Sequence, residues 1–181
     1  MKTLLEETIK FVDESFGGKK PHYVQTLFWL LQLKPNANDA LKIAAYSHDI
    51  ERAFKRKTGD RIRLIYENPE HLVEHQKKSG QIMHDFLMQK GVSEKLAREV
   101  KELISKHEVG GTEDQNLLKD ADSLSYLEVN APRHLKMIGE IPEAEIREKF
   151  NWMHERITFR EAKELAKPFF NDVMGKLDKA K

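Results

Sequence analysis

Residues 38–52 read NDALKIAAYSHDIER, and the fold follows from this stretch. Asn38 predicts a helix N-cap. Leu41, Ala44, Ala45 and His48 then recur at helical spacing, so an apolar face continues into an imidazole. Asp49 follows directly. A buried imidazole beside a carboxylate is costly unless something satisfies both groups. A bound cation does so, because neutral His nitrogen and ionised Asp oxygen are both metal ligands. The stretch therefore predicts a helix, with His48-Asp49 inside it, whose inner face carries part of a metal centre.

Outward from there the helical period holds nearly throughout, with no convincing strand alternation and no internal repeat. A first helix is predicted over 2–15, stopped by Gly17-Gly18. A second follows Pro21, with His22, Thr26, Trp29, Leu30 and Leu33 on one face, and breaks at Pro35-Asn36. Asn68-Pro69-Glu70 starts another, with the stripe Leu72, His75, Ser79, Ile82 or Met83 and Phe86, ended by Gly91. Ser93 caps the next, whose stripe Leu96, Val100, Leu103 and Ile104 leads to His107 before Gly110-Gly111. Leu118, Ala121, Asp122 and Ser125 share a face of the following helix. The C-terminal third predicts a helix from about 143 to Ile157, then a capping box at Thr158 and Glu161. The last helix carries Pro168, which should kink it.

The 181 residues suit one domain with a real core. Lys+Arg 31 against Asp+Glu 30 leaves a net charge of +1, which gives no global pull toward nucleic acid or an acidic membrane. There is no cysteine, which excludes disulfides, thiolate zinc sites and a Cys nucleophile. Glu6 and Glu7 stand where a signal peptide needs an apolar run, and no segment has the length of a membrane span. The expectation is a cytoplasmic protein with no membrane or nucleic-acid partner.

His22, His48, His75 and His107 each fall on an apolar face of a different predicted helix. One such histidine reads most simply as a core residue bonded to a backbone carbonyl. Four, together with Asp49, point to a shared interior, where helical bundles build metal sites. The remaining carboxylate is Asp120 or Asp122 in LLKDADSLSYLE. They stand about 200° apart on a helix and cannot face one point; each has a partly apolar face, and periodicity does not choose.

In this ordered set the chain resembles the HD-domain superfamily of metal-dependent phosphohydrolases. That family's pattern is a His, a His-Asp pair and a distal Asp within Ala-Asp-x-Leu, read here as His22, His48-Asp49 and Ala121-Asp122-Ser123-Leu124. His75 in EHQKKSGQIM and His107 in LISKHE resemble the extra histidines of two-metal members. The resemblance spans roughly residues 20–128 and leaves 130–181 as additional C-terminal helices. It implies an all-α, single-domain helical bundle of the HD type over 1–181, and it favours Asp122. It further implies that His22, His48, Asp49 and Asp122 hold a first metal, with Asp49 bridging to a second held by His75 and His107. With one metal, His75 and His107 would instead contact phosphate or serve as acid and base. The donor set suits Mn, Fe, Co, Ni or Zn. The implied activity is hydrolysis of a small phosphorylated metabolite or nucleotide by metal-activated water, with Asp49, His75, His107 and Arg52 as catalytic candidates. The rivals are a di-iron O2-dependent oxygenase, a non-catalytic metabolite-binding domain and a closed structural metal site.

Arg52, one turn beyond His48, reads evenly as a phosphate ligand or a surface ion pair. Arg156 is a candidate for completing a phosphate pocket. The run Lys55 to Arg63 and the pair Lys119 and Asp120 read as solvated. His71 is the reserve for His75, while His84, His134 and His154 read as surface residues. Glu51, Glu74 and Glu108 are acid–base candidates or plain surface acids. Trp29 and Trp152 read as core packing.

Overall fold

The computed structural model describes residues 2–54 and 69–179. The basic run at 55–67 and the side chain of His71 lie outside the described residues. Helices α1 (Leu4–Ser15), α2 (Pro21–Leu33), α3 (Asp39–Ser47), α4 (Pro69–Gln89), α5 (Glu94–Ile104), α6 (Glu113–Ser125), α7 (Ala131–Leu135), α8 (Glu143–Glu155) and α9 (Arg160–Lys179) follow in order. Local chemistry sets their ends. Thr3 and Glu6 form a capping box, as do Thr112 and Gln115. Asn38 accepts from the Leu41 N–H and Ser93 from the Leu96 N–H. Gly91, at φ +73°, turns the chain out of α4. Among the described residues there is no sheet, only a lone bridge between Ile138 and Ile141, and no helix long and apolar enough to cross a membrane.

α3 is the central element. Ala40, Leu41, Ile43, Ala44 and Ala45 are all fully buried, and the helix packs against α1, α2, α5 and α6. Its small residues let these neighbours approach closely, and each large aliphatic side chain buried there contributes about 1.5–3 kcal/mol. α4 lies along α5. At Gly80 a Cβ would stand 2.6 Å from Ser105 Oγ and 2.8 Å from the Lys101 carbonyl oxygen, so only glycine allows this approach. α8 and α9 pack on α6 and on a π-helical turn, Tyr126–Asn130, around Phe150, Ile146 and Ala162.

Several expectations need correction. α3 ends at Ser47, so His48 and Asp49 are not inside a helix. His48 is its C-cap and Asp49 leads into a 3-10 turn, Ile50–Ala53. Thr158 makes no capping box: its hydroxyl accepts from Lys119 Nζ at 2.8 Å and α9 starts at Arg160. Lys119 and Asp120 are buried, not solvated, because the α8–α9 turn lies across them. His134 and His154 are half-buried, against Tyr126 and Phe170, and His84 is also half-buried.

Candidate metal centre

Four elements bring histidines together, and each imidazole is oriented the same way. His48 Nδ1 donates to the Ala45 carbonyl at 3.1 Å and His107 Nδ1 to the Ile104 carbonyl at 2.8 Å. A carbonyl only accepts, so the proton is on Nδ1 in both. Ser125 gives its single hydroxyl proton to the His22 carbonyl at 2.7 Å, so His22 Nδ1, 2.8 Å from the same hydroxyl oxygen, is the donor there. His75 Nδ1 donates to Glu51 Oε2 at 2.9 Å. Every Nε2 is thereby turned inward. This is how proteins fix the tautomer of a metal-binding histidine.

The inward nitrogens meet two carboxylates. Asp122 Oδ1 lies 3.0 Å from His22 Nε2 and 3.3 Å from His48 Nε2. Asp49 Oδ1 lies 2.6 Å from His75 Nε2 and 3.4 Å from His107 Nε2. Glu108 joins this second group, its Oε1 3.7 Å from His107 Nε2. His22, His48 and Asp122 form one potential ligand group; Asp49, His75, His107 and Glu108 form another. The groups adjoin, with the His48 and His107 rings 5.0 Å apart.

The donor atoms fit a metal ion. Nε2 of His48 and of His107 are buried with no hydrogen-bond partner. A lone pair facing a carboxylate is unfavourable unless a cation lies between them. Ligands about 2.1 Å from one ion at tetrahedral angles lie about 3.4 Å apart, which falls within the range of 2.6 to 3.7 Å spanned by the two groups. The charges are also right. Burial alone would raise the Asp49 carboxyl, but Arg52 and His75 hold it well below the usual range. Asp122 is likewise held ionised against burial by Arg156 and His48. Burial lowers His22, which keeps it neutral. Burial opposes charge on His48 and His75 too, but Asp122 raises the first and Asp49 raises the second to about 9, so near neutral pH an entering cation would displace the Nε2 proton of His75.

Buried polar groups hold the rim. The Glu51 N–H donates to Ser79 Oγ at 3.2 Å and the Glu108 N–H to Gln76 Oε1 at 2.9 Å. Arg52 Nε pairs with Asp49 Oδ2 at 2.6 Å, and its side chain is 43% exposed. Arg156 spans the two groups: its NH1 binds Glu108, its NH2 binds Asp122 and its Nε donates to Ser123 Oγ at 2.8 Å. Asp120 is elsewhere. Its carboxylate accepts the Thr158 and Phe159 N–H groups at 2.8–3.0 Å and fixes the turn that presents Arg156.

All of His22, His48, Asp49, His75, His107, Asp122 and Arg52 therefore meet at this centre. Sequence reasoning treated Glu51 and Glu108 as acid–base candidates or surface acids; one orients His75 and the other faces His107. It missed Lys149, buried beside Trp152, for which the sequence carries no signal, since lysines on C-terminal helices are usually solvated.

An all-α bundle with a buried His/Asp centre of this kind is the HD fold. The crystal structure of a predicted HD superfamily hydrolase from an uncultured Thermotogales bacterium superposes with a TM-score of 0.64 at 18% identity, covering 97% of this chain and 90% of that one. The chain belongs to the family described as Domain of unknown function (DUF4202), whose model matches residues 8–163. No curated protein matches it.

Proposed function

We propose that the protein is a metal-dependent phosphohydrolase acting on a small phosphorylated metabolite or nucleotide, with His22, His48 and Asp122 holding one ion and Asp49, His75, His107 and Glu108 a second. The observation that carries the reading is the orientation of the four imidazoles, each spending its Nδ1 proton outward and aiming Nε2 at a buried carboxylate. Bound Mn, Fe, Co, Ni or Zn would supply a Lewis acid for the phosphoryl oxygens and a water acidic enough to ionise near neutral pH. The chain's own groups do the rest. Asp49 and Asp122 stay ionised to fix charge in the centre. Glu51 orients His75, Arg52 offers a half-exposed guanidinium to phosphate oxygens, and Arg156 holds Asp122 and Glu108 in place. The C-terminal helices belong to the same unit in this reading, since they deliver Arg156.

The test is elemental analysis of protein purified without a metal-affinity tag, beside His48→Ala and His75→Ala, followed by a screen for phosphate release. Close to two ions in wild type, with one lost in His75→Ala, supports the two-ion reading. Release of phosphate that both substitutions abolish supports hydrolysis. Iron with oxygen uptake and no phosphate release would replace it with oxygenase chemistry. Protein that cannot be loaded with any of these metals would sink the proposal.

A further inference from the structure

Among the described residues, Lys149 is a buried cation without a counter-ion: the residue is 8% exposed, and its ammonium group makes no ion pair. The acids whose fields it feels, Glu108 and Asp122, are both bound by Arg156. Its contacts are aromatic: Nζ lies 4.2 Å from the centroid of Trp152 and 5.3 Å from that of Tyr126. The Arg156 guanidinium lies over the same indole at 4.5 Å. Residues 149, 152 and 156 share one face of α8 and its C-cap, so Lys149 and Arg156 flank one indole, and Arg156 joins that face to Asp122 and Glu108 of the centre. Cation–π contacts offset only part of the cost of burying an ammonium group. Burial accordingly brings Lys149 down to about 8 despite Glu108. A fold that keeps such a group at the edge of a ligand centre holds it for an incoming anion.

The local charge says which anion. Asp49, Glu51, Glu108 and Asp122 face Arg52, Lys149 and Arg156, four negative groups against three positive. One divalent ion turns that balance to net positive and a second strengthens it, which favours a doubly charged phosphate over a singly charged one. Resting on the metal-centre reading above, we infer that Lys149 is the phosphate-binding and specificity-determining residue of this site. With Trp152 as its platform, it selects substrates that end in a dianionic phosphate, monoesters or pyrophosphates, over phosphodiesters.

Trp152 can report this directly. In a Trp29→Phe background it is the sole tryptophan, and its emission would be titrated with inorganic phosphate and with dimethyl phosphate, a monoanion, on metal-loaded protein. The expected result is a saturable change with phosphate and binding of dimethyl phosphate weaker by about 10-fold or more, the scale of one charge-assisted hydrogen bond. Lys149→Met should lose the phosphate response, Lys149→Arg should keep part of it, and both should retain the parent's metal content. Lys149→Met should also melt higher than its parent, because it removes an unpaired buried charge; a merely structural lysine would give a lower Tm. Equal phosphate binding by Lys149→Met and parent, or equal binding of the two probes, would overturn the proposal while leaving the metal reading intact. Protein that takes up no metal yet still binds phosphate through Lys149 would fail the metal reading and keep the anion site.

Discussion

Asp120 and Asp122 show how much two residues of separation decide. They lie on opposite faces of α6, and both are buried. Asp122 faces His22, His48 and Arg156, and Asp120 faces the N–H groups of Thr158 and Phe159. Their substitutions should therefore separate cleanly. Asp122→Asn keeps the shape and removes the charge, so metal content should fall with helicity unchanged, read by elemental analysis and circular dichroism. Asp120→Ala leaves two N–H groups without their acceptor, which costs about 1–3 kcal/mol, but it should retain metal. Metal lost from Asp120→Ala and kept by Asp122→Asn would mean that the two roles had been exchanged. From the sequence each aspartate had a partly apolar face; the resemblance to the HD superfamily favoured Asp122, and what Asp120 does became visible only with the α8–α9 turn lying over it.

At the level of elements, the packing of α4 on α5 sets where His75 and His107 stand. These histidines come from different elements, one within α4 and one in the turn after α5, so the distance between the helices is also the distance between the ligands. Gly80 lies where α4 packs too tightly on Lys101 and Ser105 to admit a Cβ. Gly80→Ala should force α5 outward and cost about 1–3 kcal/mol by chemical denaturation, as overpacking of a tight contact does. At Gly175 in α9 an added Cβ would meet nothing within 4 Å, so Gly175→Ala should instead stabilise by up to about 1 kcal/mol through helix propensity. Equal effects would show that the α4–α5 contact is looser than the structure has it. The caps at Asn38 and Ser93 were readable because capping is local. The end of α3 at Ser47 was not, since the helical period runs on unbroken into His48 and no glycine or proline marks a stop there.

The described helices pack as a bundle around a cluster of buried polar groups, and in the reading proposed above that cluster serves both stability and function. Buried carboxylates and imidazoles weaken a core unless they are satisfied together, so a bound ion should act as part of the fold. Protein treated with a chelator should melt at a lower temperature than metal-loaded protein, and reloading should restore the difference. An ion bound only by the native state adds about 4 kcal/mol at a concentration 1,000 times its Kd. Scanning calorimetry of wild type and of a His22→Ala, His75→Ala double variant checks this; a metal-dependent rise that survives in the double variant would locate the ion elsewhere.

The helical class, most helix boundaries and the histidines of the centre were legible in the order of residues alone, because helical period, capping residues and glycine stops act within a few residues of one another. The His-Asp pair was legible too, but the distal carboxylate was not: Asp120 and Asp122 each had a partly apolar face, and only the resemblance to the HD superfamily favoured Asp122. Which imidazole faces which carboxylate, that Glu51 and Glu108 join them, and that Arg156 reaches Asp122 and Glu108 from the end of α8 were settled only by the packing of the helices. Those contacts join residues dozens of positions apart, Arg156 to Glu108 or His22 to Ser125. Their energies depend on burial and on the surrounding charges, which exist only once the helices have packed.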